Sequence, residues 1–161
     1  MPKYKTHLAG GFITFLVVLI IWSSIQSLKF GSNFHISHLF LYLGSCLLGS
    51  LFPDIDTKSL IQKYVYFFTF FVIVITILLK QWMLASFLGV IAFIPILVNH
   101  RKLTHRKWFV VVIPLSVPIL TFHYNQALIY PVFTAYLFFL AGAFSHLLLD
   151  FGPKRFLKSK F

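Results

Sequence analysis

Apolar residues in this chain fall in long runs rather than in alternation or in a narrow helical stripe. The runs cover about 8–28, 34–52, 62–79, 81–99, 107–123 and 127–149. A helix needs roughly 20 apolar residues to cross the hydrocarbon layer. The pattern therefore predicts an all-α, polytopic membrane bundle of about six transmembrane helices. The polar links are short and hold no soluble domain, so the reading is one integral membrane domain over residues 1–161. Pro114 and Pro118 fall in the fifth run and predict a kink, or a tilted span buried among its neighbours. Pro53 closes the second run, because its ring disfavours helical geometry at Phe52.

Composition narrows the class further. Of 161 residues, 59% are hydrophobic and 11% charged, which excludes a disordered chain, a collagen-like chain and an ordinary soluble domain. A single cysteine, Cys46, excludes an internal disulfide framework and a cysteine-cluster metal site. The Phe-rich third run (Phe67, Phe68, Phe70, Phe71) reads as lipid-facing surface. Small residues in the first run (Gly10, Gly11), the second (Gly44, Ser45, Gly49, Ser50) and the last (Ala141, Gly142, Ala143) predict close helix contacts.

Charge sets the expected direction. With six spans, one side holds twelve of the 14 Lys and Arg residues, and the other holds only Lys29 and Lys80. Short basic loops stay cytoplasmic, so both termini are expected inside. The first run resembles a signal peptide in its basic start and apolar core, but it reads as an uncleaved anchor.

The chain has three carboxylates, Asp54, Asp56 and Asp150, and no Glu. In the six-span arrangement all three fall on the cytoplasmic face, with His7, His100, His105 and His146. His35, His38 and His123 fall on the other. His146 and Asp150 are four apart, so they share one helix face and can meet one metal ion or orient each other; alone they also read as a helix-end ion pair. Asp54 and Asp56 lie two apart after Pro53, on one side of an extended segment or in a turn that caps the next helix. His100 and His105, five apart, converge only if a helix end and a turn bring them round. Acids near a membrane are costly and rarely without function. Together these residues predict a site of neutral imidazoles and carboxylates, which suits zinc first and manganese, iron or nickel next.

The ordered segments Thr6-His7, Phe52-Pro53-Asp54-Ile55-Asp56, His100-Arg101-x-x-Thr104-His105 and Gly142-x-x-Ser145-His146-x-x-x-Asp150 resemble the YdjM-like family of predicted membrane-bound metal-dependent hydrolases. That family is thought to be related to the zinc-dependent phospholipase C and single-strand nuclease superfamily. The resemblance implies a metal set of His7, Asp54, Asp56, His100, His105, His146 and Asp150. Two positions depart from the family pattern: Lys102 replaces the Gly that often follows His-Arg, and Arg106 replaces the Ser that often follows the second His. Both make the rim more basic.

The function expected is hydrolysis of a phosphoester of a phospholipid or lipid phosphate at the cytoplasmic face, through metal-activated water. Asp54 or Asp56 is the candidate base. Arg101, Lys102, Arg106 and Lys107 lie beside the site and could neutralise a phosphate, although for Lys102 and Lys107 the ordinary positive-inside signal explains them as well. A basic rim would also attract nucleic acid, the weaker alternative. A different class is a non-catalytic metal- or lipid-binding membrane protein, an assembly or regulatory factor. A small transporter fits poorly, because no acid sits at a span midplane.

Overall fold

The computed structural model describes residues 4–29, 37–56, 60–82, 85–86, 88–90, 92 and 105–158. Among them the regular structure is entirely helical. The elements are α1 (Tyr4–Lys29), α2 (Ser37–Leu51), a 3-10 turn (Phe52–Asp56), α3 (Leu60–Leu78), α4 (Lys107–Tyr124), a short 3-10 turn (Gln126–Leu128) and α5 (Ile129–Lys158). By contacts the chain divides into two compact units, residues 1–53 with 105–161, and residues 54–104.

The first unit is built on α5, which packs against α2, α1 and α4. Its core joins Phe15 of α1, Tyr42 and Cys46 of α2, and Ala135 and Phe138 of α5. A second cluster joins Val110 of α4 to Ala143 and Leu147 of α5. These pairings make α2 parallel to α5, with α1 and α4 antiparallel to both. The start of α1, the end of α2, the start of α4 and the later part of α5 therefore meet at one end of this unit.

Glycine sets how closely α2 and α5 approach. A Cβ on Gly49 would overlap the Phe139 carbonyl oxygen, and one on Gly142 would overlap the Cys46 carbonyl oxygen. The two helices thus cross backbone to backbone, as the small residues in both runs predict. Gly152 has φ 69° and ψ 159° and breaks the direction of α5. Pro153 disfavours a helical residue before it, and glycine takes the left-handed φ without a Cβ penalty. The chain resumes helix as far as Lys158.

Among the described residues, three helical stretches are long and apolar enough to cross a membrane: Tyr4–Ile25, Lys107–Tyr124 and Gln126–Lys154. They correspond to the first, fifth and sixth runs. At 15 residues α2 is shorter than a full span, and its run begins in residues outside those described. The fifth run contains Pro114 and Pro118, yet α4 continues through both. The Tyr136 hydroxyl donates to the Val111 carbonyl at 3.0 Å, next to the turn where the first proline removes a donor.

The second unit contains α3, whose Phe67, Phe68, Phe70 and Phe71 are exposed side chains. This agrees with a lipid-facing role. Most of the fourth run, and with it His100 and Arg101, lies outside the described residues.

Candidate metal centre

Four ionisable side chains of the first unit converge where its helix ends meet. His7 lies in the opening turns of α1, His105 in the turn before α4, and His146 and Asp150 one turn apart on α5. His7 Nε2 is 3.5 Å from Asp150 Oδ1. His105 Nε2 and His146 Nε2 are 3.4 and 3.3 Å from Asp150 Oδ2. Ligand atoms of His105, His146 and Asp150 all lie within 4.8 Å of one another. The His7 and His146 rings stack at 3.8 Å between centroids, and the His105 ring stands edge-on to His146.

The group is withdrawn from solvent: relative exposure is 1% for His7, 0% for His146, 7% for Asp150 and 14% for His105. His7 Nδ1 and Asp150 Oδ1 are buried without a hydrogen-bond partner among the described residues. Burying such groups unsatisfied costs of the order of 1–3 kcal/mol each. A cation bound there would remove that cost at Asp150 and offer the imidazoles an electron-pair acceptor.

The spacing fits an ion. Two ligand atoms each about 2.0–2.1 Å from a tetrahedral zinc are about 3.3–3.4 Å apart. The two Nε2 to Oδ2 separations, 3.3 and 3.4 Å, have that length. They are longer than a good charge-assisted hydrogen bond, about 2.7–2.9 Å. His146 is also oriented as a ligand would be. Its Nδ1 is 2.7 Å from the Ser50 carbonyl oxygen of α2. Donation there fixes the tautomer that leaves the Nε2 lone pair facing Asp150.

The three other expected ligands belong to the second unit. Asp54 follows the buried Pro53 and is the first residue of the second unit. Asp56 ends the 3-10 turn, and its side chain is outside those described, as are His100 and Arg101. The structure thus brings together four of the seven expected ligands within one unit. The sequence reading missed the Ser50 carbonyl. The small residues of α2 signal a close approach, but only the register of α2 on α5 shows which carbonyl meets His146.

Residues 1–155 match the profile of a family described as YdjM inner membrane protein. The chain belongs to that family. The match spans all four histidine- and aspartate-bearing segments, and an inner-membrane setting agrees with the three long apolar helices. No curated protein and no solved structure matches the chain.

In this YdjM-family protein, Gly11 of α1 leaves room for the Ser50 side chain. A Cβ on Gly11 would lie 2.5 Å from Ser50 Oγ and 2.7 Å from Ser50 Cβ. Gly11→Ala should push Ser50 and its carbonyl away from His146. The expected loss in metal affinity is the roughly 10–100-fold typical of an outer-shell partner. Competition against a chelating indicator would measure it.

Proposed function

We propose that this protein is a membrane-embedded metal-dependent hydrolase that cleaves a phosphoester of a phospholipid or lipid phosphate at the cytoplasmic membrane face. The observation that carries the reading is Asp150, buried and faced by three imidazoles at 3.3–3.5 Å. Zinc is the ion that best suits three imidazoles and a carboxylate, and manganese is the next candidate. A divalent ion held there would supply a water whose pKa is lowered towards neutrality.

The protein's own residues have distinct tasks in this reading. His7, His105, His146 and Asp150 hold the ion, and the Ser50 carbonyl orients His146. The sequence motifs add Asp54, Asp56 and His100 as further ligands. Whichever of Asp54 and Asp56 does not ligate would accept the proton of the attacking water. Arg101 would neutralise a phosphate oxygen as charge builds in the transition state. With no Glu in the chain, these acids are the only carboxylate bases available to the site.

The topology belongs to the same proposal: six spans, both termini cytoplasmic, and the site on the cytoplasmic side. Basic loop residues support the direction. The end of α2 and the start of α4 lie at one end of the first unit, which supports an even number of crossings over residues 54–104.

The test is turnover by the full chain in nanodiscs of phosphatidylcholine, alone or with phosphatidic acid, read as released headgroup and released phosphate. Turnover should stop on chelation, return with zinc or manganese, and fall at least about 100-fold in both Asp54→Asn and Asp56→Asn, one losing a ligand and the other the general base. Retained metal with no hydrolysis of either lipid would replace this reading with a non-catalytic metal- or lipid-binding role.

A further inference from the structure

Among the described residues, Lys107 differs from the other basic side chains. Lys5, Lys63, Lys80, Arg106 and Lys154 are exposed, whereas Lys107 is only 9% exposed. A lysine at a helix end ordinarily extends its ammonium into water. Here the ammonium lies over the ring of Phe156, 4.5 Å from its centroid. Phe156 follows the turn at Gly152, and its ring also packs edge-on against Phe144. The helical segment after Gly152 therefore packs a ring against this cation.

Its location relates it to the metal centre. Lys107 opens α4, two residues beyond His105. His105 is the most exposed of the four converging side chains. The first turn of α4 has no acidic residue, and Arg106 forms no side-chain cap. The positive end of that helix adds to the lysine's field.

We propose that Lys107, seated on Phe156, binds the phosphate group of the substrate. This rests on the hydrolase reading and deepens it, because it singles out one fixed cation from the basic rim. The exposed Arg106 supplies general attraction to anions, and Lys107 supplies a defined position. The chemistry recognised is a phosphate group, either free or in the headgroup of phosphatidic acid.

The test uses the full chain in phosphatidylcholine nanodiscs, with metal content measured on every sample. Inorganic phosphate is titrated calorimetrically into metal-loaded and metal-stripped protein. In a second arm, native mass spectrometry counts phosphatidic acid retained from mixed nanodiscs. Lys107→Met should keep its metal and bind phosphate at least about tenfold more weakly, the loss expected for a charged hydrogen bond. Lys107→Arg should recover most of the binding. A defect in the phosphatidic acid arm alone identifies the lipid headgroup as the source, and a defect in both arms identifies the phosphate group itself. Equal binding by wild type and Lys107→Met in both arms overturns the proposal, as does absence of binding by wild type. Should Lys107→Met fail to assemble, Phe156→Leu decides: weakened binding upholds the proposal and unchanged binding rejects it. Lysine-dependent phosphate binding by a wild type that takes up no metal would sink the hydrolase reading and leave the anion site standing.

Discussion

Asp150→Asn is expected to lower metal affinity by more than about 100-fold, beyond the 10–100-fold that an outer-shell change costs. The reason is that one carboxylate faces all three imidazoles. His7 addresses Oδ1, while His105 and His146 address Oδ2. Asparagine keeps the shape but removes the negative charge, and its amide nitrogen cannot ligate. Any one histidine leaves two others in place, so His105→Ala should cost less than Asp150→Asn. Zinc titration of each variant in detergent, with circular dichroism as a check on folding, would rank them. A His105→Ala defect as large as that of Asp150→Asn would contradict the central position given to the carboxylate.

Gly142→Val is expected to destabilise the folded state strongly, because Gly142 lies on the crossing of α2 and α5. The added Cβ would meet the Cys46 carbonyl oxygen and then the Ser50 nitrogen, which are backbone atoms of a neighbouring helix. A flexible side chain could move aside, but here a whole helix must shift. Overpacking a core typically costs about 1–3 kcal/mol, and backbone overlap lies at or above the upper end. The Ser50 carbonyl that holds His146 would move with α2, so the metal site should be lost as well. Thermal unfolding in detergent should fall by about 10 °C or more. Gly44 is the control, since a Cβ there meets nothing within 4 Å. Gly44→Ala should leave the midpoint unchanged or raise it slightly, as alanine favours helix. Equal behaviour of the two variants would mean that α2 and α5 do not cross as described.

Some of this arrangement can be read directly from spacing. His146 and Asp150 are four residues apart on an apolar helix, and that alone puts both on one side. Pro53 stops α2 near Phe52 for a purely local reason. Other features depend on contacts between distant segments. His7 reads in isolation as an interfacial histidine. It is buried because α1 packs closely on α2 and α5, which stacks its ring on His146. The burial of Lys107 is equally non-local. Arg106 and Lys107 are adjacent and similar in sequence, and the turn at Gly152 brings Phe156 over Lys107 alone of the two. The paired prolines of α4 mark a weak point in the backbone but do not say that the helix continues through both.

The most direct test of the central claim is metal content, measured by mass spectrometry on tag-free protein purified in mild detergent. Wild type would be compared with a His146→Ala, Asp150→Ala double variant of verified helical content. The account predicts tightly held zinc or manganese in wild type and its loss in the variant. Wild type that holds no metal, even after reconstitution with zinc and with manganese, would contradict it, and the cluster would then be a buried histidine–aspartate network joining the ends of α1, α4 and α5.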